Sequence, residues 1–433
     1  MKCLVVLLCL LSAVGVSARQ ITLESALQIA EEHSHNLKAT RANLNAAEQT
    51  VTAARSECFP TLSLDARAGY VDDIPSLDLS LPGLPPISQD LGSNDSYQTD
   101  LRLSVPLYTG GRISSAIKQA ESGRDYRQAL ELVELDNLYL ATRIEFLQLC
   151  QANKLREAVA ASERRIQILR DGVTARLEAG VADSVDLLEV RLAAAQVETR
   201  SNQAATAVRS AEIRLLARLG LPDNEQLEPV VTLTDPRPYE VSTTTPTDTL
   251  PRLRAAAAMI SREQATLDSR RAAFYPTLGV YAGYLYGKPN TNPFADEFND
   301  SYTFGAQLQW SLNLGGGNTA RRNSAAHTLE SARQQHYQLS ETLKREARLA
   351  FEQWQLSLSN FTTAQDERNI ARDNFRLAQA QHDNGSIISN RLLEIENSLA
   401  EAEARLAATR VDFYVAQSIY FYTVGDDRLR KGL

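Results

Sequence analysis

The pattern of apolar and polar positions changes period along the chain, and the same changes occur twice. From Asn318 to Asn384, 67 residues run without a Gly or Pro. Leu329, Leu339, Leu343, Leu349, Phe351, Leu356 and Leu358 recur there at spacings of three, four and seven, the period of a helix. At 1.5 Å per residue that helix is roughly 100 Å long. A globular helix has about 8–20 residues, so this rod must span something or line something.

A shift of 205 residues superposes the chain on itself. From Ser96–Tyr97 and Ser301–Tyr302 the match runs without a gap to Gly220 and Gly425. Gly110–Gly111 falls on Gly315–Gly316, Arg143 on Arg348, Gly180 on Gly385, and Leu187–Leu188–Glu189 on Leu392–Leu393–Glu394. The breaker-free run after each matched Gly is 39 residues, 181–219 and 386–424. Upstream, Phe59–Pro60–Thr61–Leu62 pairs with Tyr275–Pro276–Thr277–Leu278 at an offset of 216, so 11 extra residues lie in the first copy's loop. A repeat of this kind governs the fold more strongly than any local motif.

Before each long helix the period is two. Leu62, Leu64, Ala66, Ala68 and Tyr70 alternate with Ser63, Asp65, Arg67 and Gly69, and Tyr97 to Leu107 alternate against Gln98, Asp100, Arg102 and Ser104. This predicts strands at 61–72 and 96–107 around an exposed loop, 73–95. The second copy predicts strands at 277–286 and 301–312 around a loop, 287–300. Strands of this length with one apolar face suit a tilted membrane crossing, and Tyr70, Tyr97, Tyr286 and Tyr302 near their ends suit an interfacial girdle. An ordinary soluble sheet is the plainer reading of any one strand. Four strands cannot close a barrel, and an open edge is not tolerated in lipid. The chain is therefore expected to oligomerise: two copies supply eight strands and three supply twelve, enough for a lumen.

The remaining boundaries follow from breakers. A first helical segment is expected over Ile21–Glu57, ended by Pro60. The first repeat then covers 19–220, with a long helix at 112–178 and a helix tip at 179–185. A Pro/Thr-rich linker at 221–250 packs outside the helices or adds strands to a belt. The second repeat covers 251–425, with its long helix at 318–384 and its tip at 385–390. The tail, 426–433, is expected to be poorly ordered.

Composition narrows the setting. The 433 residues carry 53 acidic and 45 basic side chains, a net charge of −8, with no basic cluster interleaved with aromatics, so no nucleic-acid footprint is expected. Lys2, the apolar run Leu4–Val16 and Val16–Ser17–Ala18 read as a signal peptide over 1–18. No later run approaches 18 apolar residues, so no membrane-spanning helix is expected. Cys58 and Cys150 remain after cleavage; Cys58 sits at the Phe59–Pro60 boundary and Cys150 roughly 60 Å down the first long helix, so no disulfide is expected.

These features together resemble the TolC-like outer membrane efflux protein family. The resemblance rests on Leu23–Glu24–Ser25–Ala26–Leu27, the paired Pro–Thr–Leu strand starts, the paired Gly–Gly strand exits, and the two segments Gly180–Glu189 and Gly385–Glu394. It implies a mainly α fold with a membrane β-barrel, built from two tandem repeats, each of long helices plus a β-hairpin. It further implies a homotrimer forming a 12-strand barrel continued by a periplasmic α-helical barrel. Implied partners are a periplasmic adaptor (membrane fusion) protein, an inner-membrane RND or ABC transporter, and outer-membrane lipid. The implied role is a passive exit duct for drugs or secreted proteins. A trimeric adhesive stalk would need sustained heptads and a large exposed head. A stand-alone porin would place 16–18 strands in one chain.

No catalytic, cofactor or metal site is expected. No phosphate-binding GxxxxGK[ST] motif, HExxH or CxxC is present. In Glu31–Glu32–His33–Ser34–His35 the histidines are two apart, so on a helix they diverge. The tips are the functional candidates. Asp186 and Glu189 share one face after Gly180, and Arg391 and Glu394 hold the matched places after Gly385. By the resemblance these four line the periplasmic entrance, where threefold assembly makes each a ring. Alternatively, acids in a first turn serve the helix dipole, with Asp183, Ser184 and Ser389 as N-caps. Arg391 breaks the acidic pattern and either pairs with a tip acid on a neighbouring helix or reduces cation selectivity. Gly180, Val181 and Ala182, with Gly385, Ser386 and Ile387, are the adaptor-docking tips by the same resemblance. Asp65, Arg67, Asp100 and Arg102 mix signs on the polar strand face, as a wet lumen or as interstrand ion pairs.

Overall fold

Caps and breakers decide where each element stops. The structure is a computed structural model and describes residues 19–80, 82–83, 85–90, 94–181, 183–231, 233–237, 250–288, 290 and 297–432. The expected signal peptide, Ala182, parts of both strand loops and 238–249 of the expected linker lie outside the described residues. In chain order the elements are β1 Arg19–Ile21, α1 Leu23–His33, α2 His35–Ser56, β2 Thr61–Tyr70, β3 Ser76–Leu79, β4 Ile87–Asp90, β5 Asp95–Tyr108 and α3 Arg112–Glu178. There follow α4 Ser184–Leu219, β6 Leu227–Pro229, α5 Pro251–Ala272, β7 Thr277–Lys288, β8 Asn299–Gln309, α6 Gly317–Asp383 and α7 Ser389–Val424. A 3-10 turn, Asp427–Arg430, is the last described element.

Two units share these elements. One comprises 41–130 and 252–338 and holds an antiparallel sheet of order β2-β5-β7-β8. The other comprises the described residues up to Thr40 together with 131–251 and 339–433, so α3 and α6 belong to both. Its core gathers Leu27, Phe146, Leu149, Leu215 and Leu219 in one cluster and Trp354, Phe413, Tyr420 and Phe421 in another.

Both long helices have 67 residues, and both helices that follow the tips have 36. All four end in the same way. Gly180, Gly220, Gly385 and Gly425 adopt φ between 67° and 75°. The next residue's amide reaches back five positions: Val181 to the Arg176 carbonyl at 2.9 Å and Ser386 to that of Gln381 at 2.8 Å. Leu221 and Asp426 repeat this bond onto Leu216 and Phe421. This is the Schellman closure, and its left-handed residue is strained for any side chain with a Cβ.

Several expectations are corrected. The helix expected over Ile21–Glu57 is two helices preceded by a strand. Thr22 caps α1 through a reciprocal box with Ser25, and Ser34 interrupts the helix because its hydroxyl accepts the Leu37 amide at 3.2 Å. The first loop contains a short hairpin, β3 with β4. The strand expected to reach residue 312 stops at Gln309. The linker carries β6, which pairs in parallel with β1. The tail is ordered over its described residues: Leu429 is buried, and Arg143 donates to the carbonyls of Arg428, Leu429 and Lys431.

Candidate functional site

The sheet sorts its side chains by face. Leu62 lies opposite Leu103, Leu64 opposite Leu101, and Ala68 opposite Tyr97. Across the second hairpin Tyr284 meets Tyr302, Ala282 meets Phe304, and Leu278 meets Leu308. All share one face by the period of two. That face is uncovered in the single chain: Leu64 is 69% and Phe304 79% exposed. A soluble protein does not leave so large an apolar surface to water. β2 and β8 each have one neighbour in the sheet, leaving an open edge on both sides.

The opposite face carries Ser63, Asp65, Arg67, Gln98, Asp100 and Arg102. Register places Asp65 directly across from Asp100, Arg67 from Gln98, and Arg102 from Ser63. Like charges therefore face each other, and among the described residues none of the four charged groups makes an ion pair. Arg102 instead lies over the Tyr281 ring, 5.3 Å from its centroid. Interstrand ion pairing does not account for these four residues.

At the first tip Asp183 is the N-cap of α4, accepting the Val185 amide at 3.4 Å, and the Ser184 hydroxyl donates to its carboxylate. Asp186 and Glu189 stand half-buried on α4. At the second tip the expected cap fails. Ile388 occupies the N-cap without a side-chain bond, and Ser389 is buried. Its hydroxyl lies 3.3 Å from His382 Nε2. Arg391 pairs with Glu394 of its own helix at 2.7 Å. Both are exposed, so this pair contributes about 0.5 kcal/mol at most. Val181, Ser386 and Ile388 project outward, and Ile387 is half-buried.

His382 joins the two tips, and sequence reasoning missed it. It is buried, with Arg176 Nη1 3.4 Å from both its Nε2 and its carbonyl oxygen. Burial holds its pKa below the usual histidine range; the Arg176 charge adds to this, while Asp383 and Asp186 oppose it. One signal was available: of five histidines, it alone stands beside a tip, three residues before Gly385. Further along, Glu396 of α7 accepts from Ser162 at 2.7 Å and from Arg165 at 3.1 Å. Arg165 also reaches Glu403 at 3.0 Å, so α3 is bound to α7 by a largely buried network.

No cluster of three His, Cys, Asp or Glu suited to a metal occurs among the described residues. No described helix is long and apolar enough to cross a membrane. Cys58 is exposed and Cys150 buried, both free thiols.

A twofold-repeated chain with long helices, a sheet with one lipid-compatible face and one charged face, and two glycine-closed tips defines a channel-type protein of the outer membrane. The outer membrane efflux protein family model matches residues 26–221 and 249–418, and the chain belongs to that family. Its members are channels rather than enzymes, and they reside in the outer membrane of Gram-negative bacteria. The outer membrane efflux protein BepC of Brucella suis is 28% identical over 192 residues, 44% of this chain and 39% of BepC. That match therefore spans about two fifths of the relative. The VceC outer membrane protein of Vibrio cholerae superposes with a TM-score of 0.76 at 16% identity, covering 93% of this chain and 96% of VceC. The CmeC channel of Campylobacter jejuni gives 0.77 at 13% identity, covering 93% and 85%. At these identities the likeness concerns the fold.

Proposed function

We propose that three copies of this chain form an outer-membrane exit duct, fed by a periplasmic adaptor protein and an inner-membrane pump. The sheet carries the reading: one exposed apolar face, one charged face and two open edges. Edge β8 of one copy pairs with β2 of the next, and three copies make twelve strands. This leaves no unpaired backbone in lipid and encloses a lumen. Asp65, Arg67, Asp100 and Arg102 then face water inside, and their mixed signs give no single-sign field to exclude a solute class.

The tips supply the entrance. Asp186 and Glu189 with Arg391 and Glu394 ring the entrance. Because Arg391 is neutralised by Glu394 on its own helix, the first copy's acids set the sign of the entrance field. The backbone around Gly180, Val181 and Ala182 and around Gly385, Ser386 and Ile387 docks the adaptor. Left-handed glycines closing both tips, with outward-pointing neighbours, support this. The duct is passive; energy and cargo choice belong to the pump.

The test is capture at the tips in living cells. A photo-crosslinking residue at Val181 or Ser386 should trap a periplasmic adaptor. The adaptor of a proton-driven RND pump assigns small-molecule efflux, that of an ABC exporter assigns protein or peptide secretion, and both together assign a shared duct. Efficient crosslinking that captures no adaptor at either tip overturns the three-part assembly.

A further inference from the structure

We infer that the sheet end from which the helices leave carries, in the second repeat only, a docking surface for phospholipids whose headgroup bears a net negative charge. The inference rests on the apolar sheet face lying in lipid, as proposed above. Every residue it uses belongs to the unit formed by 41–130 and 252–338. The surface begins with apolar and aromatic side chains at the end of β8. Trp310 continues the alternation of Tyr302, Phe304 and Leu308 and so extends the apolar face. Beyond it Leu312 and Leu314 are exposed, Leu314 to 97%. Phe274 and Tyr275, just after α5, are exposed as well. An indole at the margin of an apolar face suits the headgroup level of a bilayer.

Cations adjoin these rings. Trp310 Nε1 donates to the Phe274 carbonyl at 3.2 Å. Asn318 Nδ2 donates to the neighbouring Ala273 carbonyl at 3.4 Å, and Arg321 Nη2 donates to Asn318 Oδ1 at 3.0 Å. Short polar bonds on adjacent residues thus bring an outward indole and a guanidinium to one place. Arg270 and Arg271 stand in the last turn of α5, four and three residues before Phe274, and Arg322 follows Arg321. All four arginines are exposed. Arg271 pairs with Asp268 at 3.1 Å. Among the described residues Arg270, Arg321 and Arg322 make no ion pair; Arg322 is bonded to Asn323 of its own helix. Arginine lays its stem along apolar surface and carries its charge to the headgroups, and clustered arginines beside a membrane segment attract anionic lipid.

The first repeat is neutral at the matched places. Arg55 pairs with Glu121 at 2.6 Å, and Arg112 with Glu57 at 3.2 Å. By the offsets of 216 before the strands and 205 after them, Glu57 and Glu121 become Ala273 and Ala326. Ala54, Ala116 and Ile117 become Arg270, Arg321 and Arg322, while Arg55 becomes Arg271 and Arg112 becomes Gly317. These seven positions hold two arginines and two glutamates in the first repeat, and four arginines and no acid in the second. At the opposite end of the sheet the sign reverses. Asp95 lies across from Tyr70 and Asp300 across from Tyr286, and the Tyr70 hydroxyl donates to Asp72 at 3.4 Å. Cations without carboxylates at one end, beside an apolar margin, fit an occupant with an apolar body and an anionic head. A phospholipid has both. A headgroup of net negative charge fits better than a zwitterionic one, because it brings no ammonium to be repelled by the arginines.

The test places the full chain in vesicles of phosphatidylethanolamine mixed with phosphatidylglycerol, and native mass spectrometry counts the lipids retained. Retained lipid should be enriched in phosphatidylglycerol by roughly fivefold for each arginine near the surface, and the enrichment should fall as salt rises. Arg270→Gln, Arg321→Gln and Arg322→Gln together should bring the ratio to that of the vesicle. Giving the second repeat the first one's acids, Ala273→Glu with Ala326→Glu, should do the same with every arginine kept. Trp354→Phe leaves Trp310 as the only indole, a reporter at the surface itself. Phosphatidylglycerol brominated on its acyl chains should quench it more than brominated phosphatidylethanolamine at equal mole fraction, and the triple variant should abolish the difference. Equal quenching with unbiased retention overturns the surface and leaves the duct standing. Quenching by neither lipid puts Trp310 outside the membrane, and the duct reading and the surface fail together. A triple variant that loses its trimer in lipid-free detergent assigns the arginines to a neighbouring copy and overturns the surface.

Discussion

Arg143 is the largest fully buried side chain among the described residues, 1% exposed, and among those residues it pairs with no carboxylate. Its Nε donates to the Ser418 hydroxyl at 3.1 Å. Its Nη1 donates to the carbonyls of Lys431 at 2.6 Å, Leu429 at 3.3 Å and Arg428 at 3.4 Å. Burial pulls its pKa down to about 10, a cost to the charged form of about 3 kcal/mol. Hydrogen bonds from a charged donor contribute about 1.5–3 kcal/mol each, and the two long ones fall at the low end. The bonds therefore outweigh the burial, and most of them end on the tail. Arg143→Ala should weaken tail docking by about 3 kcal/mol, so that the tail opens about 100-fold more often. Native-state amide exchange reads this directly. Leu429 and Lys431 donate backward to Asp426 and Arg428, and their protection should fall while that of α7 changes little. Truncation after Gly425 should reverse the sign of a second substitution. There the guanidinium keeps only Ser418, so Arg143→Met should stabilise the truncated chain while destabilising the intact one. Unchanged tail exchange in Arg143→Ala, or the same loss from Arg143→Met in both chains, would refute the reasoning.

Three further outcomes are expected. His382 has a lowered pKa, so the folded tip prefers its neutral form; tip contacts should be intact above the unfolded value of about 6.5 and weaken as pH falls below it. Amide exchange near 385–389 should rise at acid pH, and His382→Gln should flatten that dependence. Leu64→Lys on the apolar face should cost about 2–4 kcal/mol if it lies near mid-membrane and lower the heat resistance of the trimer on gels. Asp65→Asn on the opposite face should leave that resistance unchanged and shift ion selectivity in planar bilayers. Gly385→Ala forces a Cβ into the left-handed region and should cost about 1 kcal/mol, seen as faster exchange of the Ser386 amide.

The repeat makes most of this fold readable in the sequence. Long runs without Gly or Pro mark the helices, alternation marks the strands, and Gly180 and Gly385 mark the tips, while the Schellman closure shared by all four helix ends emerges from the backbone bonds. What stayed hidden depended on contacts distant in sequence or on competition over a single hydrogen bond. Ser34 breaks a good amphipathic pattern because its hydroxyl takes the Leu37 amide, and a serine within a helix gives no sign of which choice it makes. Ser389 looked like a cap, but its hydroxyl goes to His382, leaving Ile388 in the capping position. The polar tail looked disordered because its anchor, Arg143, lies 285 residues or more away along the chain. On the strands, alternation placed Asp65, Arg67, Asp100 and Arg102 on one face, but only the register revealed that Asp65 faces Asp100.

The twin of Arg143 shows how far a repeat can be trusted. Arg348 occupies the matched place yet is exposed. The two positions lie beside different segments. After Gly425 the 3-10 turn Asp427–Arg430 folds back onto Arg143. After Gly220 the chain continues toward β6, and Arg209 takes the carbonyls of Asp223 and Glu225 instead. The same need, donors for the carbonyls that follow a helix end, is met by different arginines because the segments that follow the two glycines differ. The helices that follow the two tips obey the same logic. Leu188 of α4 is exposed while its twin Leu393 of α7 is buried, since Leu393 packs with Ile166 and Val173 of α3. Repeat symmetry thus predicts backbone and caps reliably. Places where twins differ in burial mark where one copy meets something the other does not: a different following segment or a different packing partner.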